Sequence, residues 1–182
     1  MITISGKFSI PERKLRYELC EPFDLNGEKR CFFIRGENGI GKTTFVEKIL
    51  IPRLDAAQTH FLYIGQDIRL QLYTLRALLA TLGLKVKGAD DLDLLKTWIE
   101  NSQSARVFIL DEFDKFFPDY GFIFDWSQAF VQTYIFITHS DRNRIPDEVA
   151  ERYPTCDIRF ELADESGPVQ HVRLSGDAQA RI

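Results

Sequence analysis

An α/β fold, with a mostly parallel central sheet and helices on both faces, is the class predicted by three observations. His60-Phe61-Leu62-Tyr63-Ile64, Val107-Phe108-Ile109-Leu110 and Tyr134-Ile135-Phe136-Ile137 are short runs apolar on consecutive positions, as strands buried on both faces are. Segments of helical spacing separate them, and that alternation favours a parallel sheet covered by helices. A glycine-rich turn stands between another such run, Cys31-Phe32-Phe33-Ile34, and a helix that starts at Lys42. Composition agrees: 182 residues, 45% apolar and 27% charged, form one ordinary globular domain and exclude disordered and fibrous classes. Twenty-three basic against 27 acidic side chains leave a net charge of −4, with no bulk attraction to nucleic acid or anionic lipid. The three cysteines, Cys20, Cys31 and Cys156, make no C-x-x-C pair, so reduced thiols in the cytoplasm are expected. No run of about 18 apolar residues offers a membrane span, and the first residues contain no long apolar leader.

The elements follow in order within one domain, 1–182. Residues 1–35 read as N-terminal strands with antiparallel, hairpin-like pairing: Thr3–Ile10 alternates, Pro11 punctuates, Leu15–Leu19 alternates again, and Asn26-Gly27 signals a turn before Cys31. The helix from Lys42 carries Phe45, Val46, Ile49 and Leu50 on one side, with Pro52 beyond its end. Residues 67–104 form a small helical insert of two helices. The first carries Leu72, Leu75, Leu79 and Leu82; the second starts near Asp90-Asp91 and carries Leu92, Leu95, Trp98 and Ile99. Residues 156–175 close the chain as a hairpin around Ser166-Gly167-Pro168.

Gly36-Glu37-Asn38-Gly39-Ile40-Gly41-Lys42-Thr43 fits G-x-x-x-x-G-K-[ST] in the strand-to-helix context that gives the pattern its meaning, a P-loop NTPase. Glycines let successive N–H groups bend inward onto phosphate oxygens, and the helix start adds its positive dipole end. Lys42 is the expected contact to the β- and γ-phosphates, and the Thr43 hydroxyl the expected Mg²⁺ ligand. Val107–Leu110 then delivers Asp111 and Glu112 at a strand's C-terminal end, where open α/β sheets bind ligands. Asp111 is expected to hold Mg²⁺ and Glu112 to polarise an attacking water. The bland alternatives are a chance glycine turn and acids that only cap the next helix.

The order of these features resembles the ATP-binding cassette (ABC) ATPases, over about residues 2–162. The matching residues are Gly36 to Thr44, then Tyr63-Ile64-Gly65-Gln66, Asp111-Glu112 and Ile137-Thr138-His139-Ser140. The resemblance implies ATP with Mg²⁺, a Q-loop glutamine at Gln66 beside the metal, a switch histidine at His139 on the γ-phosphate, and an adenine-stacking aromatic, Tyr17 or Phe8. It implies an interface loop at Asp114, a protein partner such as a membrane permease or another complex subunit, and a nucleotide-dependent homodimer. The family's L-S-G-G-Q signature has no match in the 45 steps from Gln66 to Asp111, and Leu174-Ser175-Gly176-Asp177 falls after His139, in the wrong place.

Phe113, Phe116, Phe117, Tyr120, Phe122, Phe124 and Trp126 crowd fourteen residues, either as a partner surface or as core. Arg13, Lys14 and Arg16 offer a small basic patch. The function expected is an ATPase serving as an energy-coupling or switch subunit. Two alternatives stay open: a P-loop kinase with residues 70–104 as acceptor site or lid, and a nucleotide-dependent interaction module with negligible turnover.

Overall fold

A computed structural model of the chain describes residues 2–26, 29–83, 90–117, 119–138, 147–164 and 169–177. Eight strands, β1 (Thr3–Ile10), β2 (Leu15–Asp24), β3 (Arg30–Gly36), β4 (Phe61–Ile64), β5 (Val107–Asp111), β6 (Thr133–Ile137), β7 (Thr155–Asp164) and β8 (Gln170–Asp177), form one sheet. Its order is β1-β2-β8-β7-β3-β6-β5-β4. The run β7-β3-β6-β5-β4 is parallel throughout. The pairs β1/β2 and β7/β8 are antiparallel, and β8 joins the hairpin to the rest by running parallel to β2.

Consecutive apolar residues make β3, β5 and β6 two-faced. Phe32 and Ile34 of β3 enter one core, with Ile109 and Ile137, while Cys31 and Phe33 enter the other, with Phe108 and Phe136. The first core is filled by the helix that follows β3, through Phe45, Val46, Ile49, Leu50 and Leu54, and by Ile4, Tyr17, Leu19 and Phe23 of the β1–β2 hairpin. The sheet therefore curls its N-terminal edge around that helix. The second core is covered by α3 (Ile68–Thr81), α4 (Asp91–Glu100), α6 (Phe122–Ser127) and α7 (Asp147–Arg152).

Several expectations change. Not all strands of residues 1–35 are antiparallel: β3 lies parallel to both of its neighbours, at the centre of the sheet. The helix from Lys42 does not stop before Pro52. It runs from α1 (Lys42–Phe45) through a π-helical stretch (Val46–Leu50) into α2 (Ile51–Ala56), with Pro52 in the first turn of α2. Proline lacks the N–H that an α-helix would direct to the fourth preceding carbonyl, and the wider turn just before it accommodates the missing bond and the ring. The two helices expected as a small insert over 67–104 are present as α3 and α4. They form the crossover between β4 and β5, laying Ile68, Leu72, Leu94, Leu95 and Ile99 on the sheet. Leu94, rather than Leu92, is the buried leucine of α4's first turn.

The aromatic run is core. Phe113, Tyr120 and Phe124 are buried, and Phe116, Phe117, Phe122 and Trp126 pack half-buried against them. The C-terminal hairpin is present as β7 and β8; its turn, Ser166-Gly167-Pro168, lies outside the described residues, as does Gly27. Among the described residues no helix is long and apolar enough to cross a membrane.

Candidate phosphate-binding site

β3 delivers Gly36 at the centre of the sheet's C-terminal edge, and the loop returns into α1 at Lys42. Two glycines are dictated by space as well as by φ. A Cβ on Gly36 (φ +146°) would come within 2.7 Å of the Phe160 carbonyl oxygen, and one on Gly41 (φ +96°) within 2.6 Å of Tyr17 Oη. Asn38, Gly39, Gly41, Lys42, Thr43, Thr44, Gln66 and Glu112 line one open cleft. Ile40 does not line this cleft: its side chain is buried in the first core and its N–H turns back to Glu37 O at 3.4 Å. Lys42 is buried beneath the loop, its Nζ donating to Gly36 O (2.7 Å) and Glu37 O (2.9 Å). Burial lowers its pKa, while Glu112 and Asp111 act against that shift.

The two acids come from β5, which is separated from β3 by β6 alone. Asp111, the last residue of β5, is fully buried. Its Oδ2 accepts from Thr43 Oγ1 (2.7 Å), and Gln66 Nε2 donates in turn to Thr43 Oγ1 (2.7 Å). Thr43, Gln66 and Asp111, the three residues expected around Mg²⁺, are therefore in one hydrogen-bonded line. Asp111 Oδ1 is buried and has no hydrogen-bond partner among the described residues, an orphaned carboxylate oxygen beside a hydroxyl. Hard oxygen donors of this kind suit Mg²⁺. Burial pushes the Asp111 carboxyl up to about 6, against the hydrogen bond from Thr43.

Glu112 stands at φ +52°, a left-handed conformation, with its N–H on Ile137 O (2.9 Å) and Lys115 Nζ 2.6 Å from its Oε2. Glu112 is the N-cap residue of α5 (Phe113–Phe116), but its side chain makes no capping bond there. β6 ends between the loop and the acids. There Thr138 donates its N–H to Ile34 O (3.1 Å) and its hydroxyl to Asp114 Oδ2 (2.8 Å). His139, next in sequence, lies outside the described residues.

Tyr17 does not face the cleft as an adenine-stacking ring must. It is buried under the loop, donating its hydroxyl to Gly41 O (2.8 Å), with its ring edge-on to Phe45. Phe8 packs partly buried on the first core, with the Arg53 guanidinium 5.8 Å from its ring centre. Three site neighbours had been given no role at the site: Tyr63, Glu47 and Lys115. Tyr63 Oη lies 3.3 Å from Glu47 Oε1 and 3.5 Å from Asp111 Oδ2. Helical spacing signals Glu47, four residues after Thr43 and so on its face of the helix. Strand alternation puts Tyr63 on the same side of β4 as Phe61.

Strand, glycine loop, helix and the acid-bearing strand two places away define a P-loop α/β fold of the NTPase class. No protein-family model matches this chain, and neither does any curated protein. Among solved structures, a KaiC-like protein from the hyperthermophilic archaeon Pyrococcus horikoshii OT3 is similar to it. The two are 11% identical, with 82% of this chain and 78% of that one covered at a TM-score of 0.46.

Proposed function

We propose that the chain binds ATP with Mg²⁺ in the cleft over Gly36–Thr44 and hydrolyses it, acting as an ABC-type switch or energy-coupling subunit for a protein partner. The observation that carries this reading is the hydrogen-bonded line Gln66–Thr43–Asp111, with Glu112 lining the same cleft. Glycine-loop amides and Lys42 neutralise the phosphates, and Thr43 and Asp111 would hold Mg²⁺, which supplies charge neutralisation at the β- and γ-phosphate oxygens. Glu112 takes up the proton of a water as its oxygen bonds to the γ-phosphorus. The bridging P–O bond then breaks with its electron pair leaving on ADP.

Hydrolysis is favoured over transfer to an acceptor because Glu112, directly after Asp111, lines the same cleft as Lys42 and Thr43, where it can take the proton of a water. Gln66 opens the connection into α3, and Thr138 ties the end of β6 to Asp114. Nucleotide state would pass by these two routes to a partner surface. We assign that partner to protein rather than nucleic acid on the net charge of −4. His139 remains the proposed γ-phosphate contact and the cytoplasm the proposed compartment; a nucleotide-dependent homodimer belongs to the same proposal.

The test is calorimetric titration of Mg²⁺·ATP together with steady-state phosphate release. Lys42→Ala is expected to lower affinity at least about 100-fold, the scale of losing a charged contact to phosphate. Glu112→Gln is expected to keep binding while turnover falls about 100-fold or more. Unchanged ATP uptake in Lys42→Ala would overturn the reading. Tight ATP retention without phosphate release in the unaltered chain would replace the ATPase with a binding module.

A further inference from the structure

We propose that Tyr17 is a positioning residue for the nucleotide: its hydroxyl fixes the Gly41–Lys42 peptide so that the Lys42 N–H faces the phosphates. The inference rests on the nucleotide-binding reading above and deepens it. Tyr17 comes from β2, part of the hairpin at the far edge of the sheet, and is 1% exposed. Its Oη donates to Gly41 O at 2.8 Å. The ring is held edge-on by Phe45 and Phe160, with centroids 5.5 Å and 6.1 Å away.

A trans peptide is planar, with its C=O and the following N–H pointing in opposite directions. A Gly41 carbonyl drawn down to a phenol buried in the core therefore turns the Lys42 N–H up into the cleft. The carbonyl is doubly anchored, because Phe45 N also donates to it at 2.9 Å, and both of its lone pairs are used. Gly41 is the residue that permits this approach: at φ +96°, its missing Cβ leaves the space in which Tyr17 Oη and Leu15 Cδ1 sit, 2.6 Å and 3.0 Å from where that atom would be. The phenol itself lies outside the cleft lining, so it acts through the peptide and never touches the ligand.

Tyr17→Phe keeps the ring and deletes the hydroxyl. Calorimetric titration with Mg²⁺·ATP, Mg²⁺·ADP and inorganic tripolyphosphate is expected to show affinity falling about five-fold for all three, the scale of one hydrogen bond. Turnover at saturating ATP should stay within about two-fold, a change in KM without a change in kcat. Phe160→Leu is the packing control: it trims a ring beside Tyr17 and spares the hydroxyl, so it should lower the melting temperature and leave all three affinities unchanged. Wild-type affinities in Tyr17→Phe would overturn the inference, as would losses in both variants that track their melting temperatures. A Tyr17→Phe chain that does not fold would assign the hydroxyl to folding and overturn the inference too. If the unaltered chain takes up none of the three ligands, the nucleotide reading falls along with this one, whereas normal uptake with an indifferent Tyr17→Phe overturns this one alone.

Discussion

Glu112 is held at φ +52° by its N–H bond to Ile137 and by the ion pair to Lys115, although a left-handed conformation costs a non-glycine residue about 1–2 kcal/mol. That bend makes two successive acids useful at once: Asp111 stays inside the end of β5, while Glu112 turns into the cleft. A residue kept in strain at a reacting centre trades stability for activity. Glycine occupies such a conformation without a Cβ clash, at some cost in chain entropy. Glu112→Gly is accordingly expected to melt at or above the wild-type temperature, gaining from zero to about 1 kcal/mol, while retaining ATP and losing phosphate release. Thermal unfolding measured beside turnover checks this, and a clear fall in melting temperature would show the bend to be relaxed rather than strained.

Among the elements, α3 connects the site to the molecular surface. Gln71 accepts from Gly65 N–H (2.9 Å) and donates to Tyr63 O (3.3 Å), stapling the turn that presents Gln66, and Asp67 caps the helix on Leu70 N (3.3 Å). Gln71→Leu keeps most of the side-chain volume and removes both bonds. Turnover is expected to fall about five- to ten-fold while ATP affinity moves less than about two-fold, read by phosphate release against titration. The same helix shows the limit of periodicity. Its leucines mark it as a helix, yet burial fades along it, from Ile68 and Leu72 to Leu82, which is 62% exposed. Leu70, Tyr73 and Leu78 are exposed as well, so apolar residues lie on more than one side and spacing alone does not choose the inward face. Pro52 misled for a related reason. A proline ends an ideal α-helix, but the preceding π-helical stretch lets the backbone continue, and that relief has no sequence mark.

For the whole molecule, the buried carboxyl of Asp111 links stability to pH. Its pKa lies near 6 in the folded chain against an ordinary 3.8, so the folded state holds the proton more tightly than the unfolded state. Its stabilising contribution is full below 3.8 and is lost as pH rises through about 6, an effect of up to about 3 kcal/mol. Asp111→Asn should flatten this part of the melting-temperature profile. Mg²⁺ needs the charged form, so stabilisation by Mg²⁺·ATP is expected to fade as pH falls below about 6; a profile identical in the wild type and Asp111→Asn would refute the linkage.

The phosphate loop and the acidic pair were legible in the sequence because their demands are local: glycines at positive φ, a lysine at the helix start, acids at a strand end. The place of Tyr17 beneath the loop was not, because it depends on a contact between β2 and Gly41 made across the curl of the sheet. The strand order was hidden for the same reason, since Leu15 pairs with Gln170 and nothing near either residue announces the other.

That pairing has a consequence for folding. Of the described strands, β8 alone attaches the β1–β2 hairpin to the remainder of the sheet. Until β8 docks, the hairpin is held only by its packing on the helix after β3, and a closure over so long a stretch of chain is slow. The phenol beneath the glycine loop should therefore reach its final place in the same late step that seats β8.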